Sequence, residues 1–520
     1  MNTSPKRLSR FSPLLLPCGL IAAGLPLQAR SQEAAASSAP HTAGSPLVAD
    51  PSQSPDRPLP AGEPAKVRAP RVDAPLNARR GAKSGPYYLQ RWNDSYPTEA
   101  AAAKEGVFAP LKHIPLGGDA YLTLSGEERL QAIAQTYGSF AGGGTRNQTY
   151  FSFRHQYGAD LHLNRNIRVF GQLVSAQQPA WNMPKPYSGK QQNSIDVAEL
   201  FVEAQTRIAD VTVGARVGRQ QMSLGNGLLF GLQANANVEQ AFDGIVAYAN
   251  RPNTDLTLFA VKPVDYQNGA FDDRTSDTQR FYGAYGSLRL YRSTHTDIVL
   301  DPFLIRSEND ATAINLVKGE DRRWTVGARL WGSSGLVNID WTAAYQFGRF
   351  NEKTVSAAAL LTESQVQIPG APAKLRLAVR GDIATGGARD GSTVKTFRTF
   401  YPQQLYMTIM GFLTTSNVYD LGLGIRADPT PRLSLQAYQR HFWRYSTEDV
   451  VYGRGAAPLT STAKSDASSI GTLWSISGRW QINKHVGIGV DTGYYKASGT
   501  PQQSGLRDVA YGLTELLFMF

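Results

Sequence analysis

The chain has 520 residues, 18% of them charged and 42% hydrophobic, with a net charge of +11 and a mean hydropathy of −0.31. That is material for one large domain or two ordinary ones. No run of 18 apolar residues occurs after position 30. Transmembrane helices are therefore excluded there, but not strands, whose alternation keeps the average hydropathy mild.

Residues 1–31 have the layout of a secretory signal peptide. Lys6, Arg7 and Arg10 precede the apolar stretch Leu14–Leu27, and small Ala29 and Ser31 follow. Pro13, Pro17 and Pro26 argue against a helical anchor. Pro17 ahead of Cys18 argues against lipidation. Cys18 is the one cysteine, so the exported chain is expected to hold neither a disulfide framework nor a thiolate metal site. Export and the lack of a basic run exclude nucleic acid as a partner, so the remaining positive charge is a clue to a solute or a lipid.

Residues 32–86 are rich in Ala, Pro and Ser and have no aromatic residue. Such a segment cannot bury enough apolar surface to offset its ordering entropy, and it is predicted to be disordered, on the periplasmic side. Residues 87–520 form the remaining domain.

From Asp119 onward the chain alternates with period two. Leu122, Leu124, Leu130 and Ala132 share one face of the first segment; Thr123, Ser125, Glu127, Arg129 and Gln131 share the other. About eighteen such segments begin near residues 119, 148, 166, 195, 210, 240, 253, 279, 296, 322, 335, 354, 373, 415, 431, 471, 485 and 507. Tight turns such as 164–166, 209–210, 333–335 and 483–485 alternate with mostly longer polar loops, such as 175–194, 221–240, 263–278, 386–414 and 446–469. Short turns at one end and long loops at the other predict an all-β fold, a transmembrane antiparallel barrel of the outer membrane. A soluble sandwich rarely runs to this many strands, and no fixed period supports a solenoid. The last strand ends in Phe520, with Ala510, Gly512, Leu516 and Phe518 on its face, which resembles the signal for outer-membrane insertion. Closure within one chain permits a monomer.

The polar face of a barrel lines its lumen. Alternation puts Arg129, Arg154, Arg168, Arg216, Arg289, Arg329, Arg376, Arg380, Arg426, Arg440 and Arg479 inside, with Asp160, Glu199, Glu203, Asp340, Asp382, Asp420 and Asp491. Any single arginine fits an ion pair in the wall at least as well as a solute contact. As a set the arginines outnumber these acids, which predicts a positive bias in a confined pore. A guanidinium stays charged and grips carboxylates with two hydrogen bonds, so a series of them could hand a polyanion along.

No HExxH, P-loop or GxSxG motif is present, and no cofactor is expected. The histidines after the signal are His41, His113, His155, His162, His295, His441 and His485. His155 falls on the lipid face while Ser152 points the other way. Glu127 and Glu128 face opposite sides. His162 with Asp160 reads as a wall pair rather than a metal site. No histidine is paired convincingly with a serine, so enzyme activity is not expected.

Several stretches carry a family resemblance. Val217–Tyr248, VGRQQMSLGNGLLFGLQANANVEQAFDGIVAY, resembles the GRQ…FDG segment of the outer-membrane alginate export family. Tyr88–Tyr96, YLQRWNDSY, resembles the family's stretch ahead of the first strand. Arg380–Thr385, RGDIAT, with Phe397–Gln404, resembles its aspartate-bearing strand and aromatic loop, and Gln439–Tyr452 its aromatic strand. The likeness covers about 87–520. It implies an eighteen-stranded barrel passing alginate, a polyuronate, outward through an electropositive constriction. On the export reading the guidance is passive, and the energy is expected from synthesis or a periplasmic secretion partner. It marks Arg219, Gln220, Asp243 and Asp382 as motif positions. Ala384-Thr385-Gly386-Gly387 departs from the family's Ser-Gly-Asp, so one acidic position is missing. Alternation puts Arg219 on the outer face with Val217, which predicts a bulge or rim position. Uptake of small acidic solutes or sugar acids is the alternative function, and a barrel enzyme acting on lipid or surface polymer is a second.

Overall fold

A computed structural model describes residues 83–136, 147–179, 188–388, 391–402 and 411–520. The expected signal peptide, His41 and almost all of the segment 32–86 lie outside these residues.

Eighteen long strands close into one antiparallel barrel. They are β1 (Ala120–Thr136), β2 (Asn147–His162), β3 (Ile167–Gln177), β4 (Asn193–Ile208), β5 (Val211–Gln221), β6 (Ala241–Arg251), β7 (Thr254–Asp265), β8 (Gln279–Arg292) and β9 (Thr296–Ile314). The other half is β10 (Val317–Ser334), β11 (Val337–Phe350), β12 (Lys353–Gln367), β13 (Arg376–Ala384), β14 (Val418–Thr430), β15 (Leu433–Trp443), β16 (Ser469–Gln481), β17 (Val486–Ala497) and β18 (Val509–Met519). Closure runs from Tyr511 opposite Gln135 to Met519 opposite Glu127. Complete pairing matters because no water inside a bilayer can satisfy a free strand edge.

The predicted starts fall within three residues of those observed, except that β10 begins at Val317 rather than near 322. The cause is a two-residue turn at Asn315–Leu316, where Asn315 takes φ 53°; Asn351 does the same at φ 50° between β11 and β12. Asn tolerates this left-handed backbone. Two connections at the long-loop end are therefore tight, and the β9–β10 strands are the longest of the barrel.

Alternation sorts the two faces as the pattern required. Leu421, Leu423 and Ile425 of β14 are exposed outside, as are Trp341, Tyr345 and Phe347 of β11, forming an apolar belt. The inward face is buried, because other parts of the chain fold into the barrel. The connections 222–240 and 444–468, with residues 385–388, 391–402 and 411–417, pack there around Phe230, Phe397, Phe412 and Val451, against wall residues Phe242, Phe259, Phe281 and Tyr495. Phe230 is in ring contact with Phe242, Phe259, Phe281, Phe400 and Tyr401.

The segment ahead of β1 also enters the barrel. Trp92 packs edge-on to Phe201 and clusters with Phe170, both inward-facing. Leu89 meets Leu232 and Ala234 of the descending connection 222–240. Arg91 reaches the barrel seam, donating to the Gly126 carbonyl at 3.1 Å and to Phe520 O at 2.6 Å. Beyond it, Phe108 stacks on the Phe520 ring at 4.8 Å.

Candidate functional site

The inward arginines are built into the wall in pairs. Arg329 grips Asp340 with two hydrogen bonds at 2.5 and 2.7 Å and reaches Asp301 at 3.4 Å. Arg154 joins Glu127 at 2.5 Å and Glu239 at 3.3 Å. Arg168 bridges Glu203 and Asp160, and Arg216 lies 3.8 Å from Glu203. Arg380 and Arg426 share Glu363, and Arg376 meets Asp428 at 2.7 Å. Arg289 pairs with Asp297 at 2.9 Å, and Arg479 with Asp491. Asp382 and Asp420 stand directly opposite each other on β13 and β14, a like-charge placement that costs stability unless bridged. Arg440 bridges them at 3.0 and 2.7 Å. Arg129 takes carbonyls instead, those of Ala234 and Ala236. Glu199 accepts the Trp92 indole N–H at 3.2 Å and the Gln221 amide at 2.8 Å.

The expected surplus of inward arginines over inward acids does not hold on the wall. Glu127, Asp255, Asp301, Asp321, Glu363 and Glu515 also face inward and are buried, against one further arginine, Arg323. Glu127 already shares the polar face of Arg129, and continuing the alternation through β7, β9, β10, β12 and β18 finds the others.

The motif residues Gly218-Arg219-Gln220 and Phe242-Asp243-Gly244 are the two halves of one cross-strand pairing. In register, Gly218 faces Gly244, Arg219 faces Asp243, and Gln220 faces Phe242. Gly218 and Gly244 have φ of +132° and +154°, and a Cβ on either would strike a neighbouring carbonyl at 2.3 or 2.2 Å. Arg219 grips Asp243 at 2.9 and 3.2 Å on the outer side, at the long-loop rim. The chain around Asp273 covers this pair. Gln220 is buried inside and spans to the Gly218 and Gly244 carbonyls. Arg219 and Asp243 thus do not meet the lumen.

The RWN stretch is the site residue group that strand periodicity could not place. The Trp92 ring carries the Arg216 guanidinium at 3.8 Å from its centre, and the Trp92 carbonyl accepts from Arg168 at 2.8 Å. A non-periodic segment whose partners lie some hundred residues away leaves no alternation signal.

At the long-loop end the charge balance differs. A cavity of about 330 Å³ is lined by Lys190, Arg323, Arg398 and Arg454, by one carboxylate, Asp321, and by Phe281, Phe400 and Tyr401. Arg323 pairs with Asp321 at 2.8 Å. Lys190 and Arg398 have no carboxylate within 4 Å among the described residues. Lys190 donates to Gln233 and Gln240 and lies over the Tyr266 and Tyr401 rings. Burial pushes its ammonium down to about 7. Arg398 donates to the Ala313 carbonyl at 2.9 Å, and burial lowers its pKa too.

Two other clusters have plainer readings. Asp196, Asp272 and Asp273 gather their carboxylates within 4.8 Å, but Asp196 is taken up by the backbone amides of Asp272 and Asp273. His162 meets Asp160 at 3.2 Å, a wall contact. His441 corrects the expectation that no histidine pairs with a serine: its Nε2 lies 3.1 Å from Ser469 Oγ, and its Nδ1 2.6 Å from Thr472. A bulge between Phe442 and Trp443 creates that contact. Among the described residues no carboxylate orients the ring, and Ser469 continues to Ser498, which makes a hydrogen-bond chain.

An apolar belt outside, polar inward faces and asymmetric ends define a channel of the outer-membrane porin class. Solved structures share the fold: OccAB1 and OccAB2 of Acinetobacter baumannii (TM-score 0.52 each; 11% and 9% identity; 79% and 77% of this chain, 98% of each of those chains). A BenF-like porin from Pseudomonas fluorescens Pf-5 scores 0.51, at 9% identity over 77% of this chain and 98% of its own. No curated protein matches the chain. The profile of the alginate export family matches residues 121–509, and the chain belongs to that family. Its short-turn end accordingly faces the periplasm.

Proposed function

We propose that this outer-membrane channel passes an acidic polysaccharide of the polyuronate type outward. The observation that carries the reading is the cavity at the loop end. There Lys190 and Arg398 spend their hydrogen bonds on neutral oxygens, beside Phe281, Phe400 and Tyr401. Cations recognise a carboxylate, while ring faces take the C–H surface of a sugar. The paired wall arginines then stiffen the barrel, and the loop cations do the sorting. Membership of the alginate export family supports the polymeric cargo.

Uptake of small acidic solutes is the second reading. It is favoured by the cavity's size, which lies at the low end for small-molecule sites. Bilayer recordings separate the two. Polyuronate blocks the current more strongly than its monomer if a polymer is the cargo, and Arg398→Gln weakens that block. Equal block by monomer and polymer supports uptake, and unchanged block in Arg398→Gln removes the cavity from either account. A hydrolytic activity lost on Ser469→Ala would instead support the enzyme alternative.

A further inference from the structure

On β8 to β11 the outer wall carries a cluster of charged residues near the loop end. On β8 to β11 the register lines up two lateral rows near the loop end. The lower row is Tyr282, Arg306, Trp324 and Phe347, each opposite the next. Below it these strands show only apolar or small side chains to the outside, among them Leu288, Leu304, Val326 and Trp341. Aromatic residues in such a row mark the interface between hydrocarbon and headgroups. The next row up is Arg280, Glu308, Arg322 and Arg349. It stands where lipid headgroups begin.

This row is not a closed set of ion pairs. Glu308 is shared by Arg280 at 3.9 Å and Arg306 at 3.2 Å. Arg322 is held by Asp310 and lies 3.9 Å from Glu320. Arg349 is exposed, has no carboxylate within 4 Å among the described residues, and sits directly opposite Arg322. Like charges placed opposite each other across strands are destabilising, and a bridging anion reverses that sign. Lys318 adds a further cation on the same outer face of β10. At two other places on this rim outer polar groups are paired: Arg219 with Asp243, and His441 with Ser469 and Thr472.

We infer that the outer faces of β8–β11 form a docking strip for the phosphate-bearing headgroup of an outer-leaflet glycolipid, with Arg322 and Arg349 as its centre. Guanidinium forks bind phosphate with two hydrogen bonds, and Trp324 and Tyr282 lie one row below to pack the first part of the acyl region.

The test reconstitutes full-length protein into phosphatidylcholine nanodiscs doped with a diphosphorylated glucosamine-disaccharide lipid. Retained lipid is then read by native mass spectrometry. The wild type should retain that lipid, and its dephosphorylated counterpart should be retained about tenfold less. Arg322→Gln with Arg349→Gln should lose about tenfold or more of the retention. Arg207→Gln with Arg251→Gln, exposed at the opposite end, should lose none. Heat-modifiable migration on gels checks that each variant is a folded barrel; should the double variant fail to fold, Arg349→Gln alone serves. Equal retention by the folded variant and wild type, equal retention of the dephosphorylated lipid, or full displacement by inorganic phosphate would overturn the proposal.

Discussion

The wall of the barrel and the loops folded inside it use basic side chains for opposite purposes. On the wall, guanidinium is almost always matched to carboxylate, as at Arg329–Asp340 and Arg440–Asp420. In the loop-end cavity, Lys190 and Arg398 are matched to amide and carbonyl oxygens. A buried charge is expensive unless paired, so the wall has minimised that cost and the cavity has retained part of it. A site that has to attract an anion and release it again needs cations that are not already neutralised.

Four changes test that contrast, in descending size. Asp340→Ala strands Arg329 with only Asp301 at 3.4 Å and should cost about 3–5 kcal/mol, read as a fall in the urea midpoint in detergent. Arg91→Ala removes two charge-assisted bonds at the β1–β18 seam and should cost about 1.5–3 kcal/mol by the same measurement. Replacing Arg479 and Asp491 together, by Met and Leu, should shift the midpoint far less than replacing Asp491 alone, because both charges leave at once.

The smallest effect has the opposite sign. Lys190→Gln should leave the midpoint unchanged or raise it at pH 6. Burial depresses the folded-state pKa of Lys190 to about 7, below its unfolded value near 10.4. The penalty for its charge is therefore complete below about pH 7 and fades as pH rises towards 10, so the gain from the substitution should fade with it. For the same reason polyuronate block of the wild type should strengthen as pH falls through 7. A midpoint that drops in Lys190→Gln as far as in Asp340→Ala would erase the distinction between wall and cavity.

Much of the barrel was legible because strand alternation is a local signal. Leu421, Leu423 and Ile425 announce their face without reference to any other strand. The β9–β10 turn was misplaced because Lys318 and Glu320 continue the alternation in polar residues above the membrane, so apolar content falls before the strand ends. The candidate site was legible only in part. The inward arginines follow from parity, but their partners follow from register across strands, as with Arg426 on β14 and Glu363 on β12. The cavity cations Lys190, Arg398 and Arg454 sit on irregular connections, where no period places them, and Trp92 enters the lumen from outside the strand pattern altogether. The GRQ and FDG motifs were visible as words, but their meaning as opposed halves of one strand pair required β5 and β6 side by side.

The account rests on ion sorting by loop cations rather than by the wall. The direct measurement is the reversal potential in a salt gradient, compared between wild type, Lys190→Gln with Arg398→Gln, and the wall pair Arg479→Gln with Asp491→Asn. Anion selectivity should be present in the wild type, largely lost in the loop variant and kept in the wall variant. Selectivity that survives the loop variant and disappears in the wall variant would contradict it.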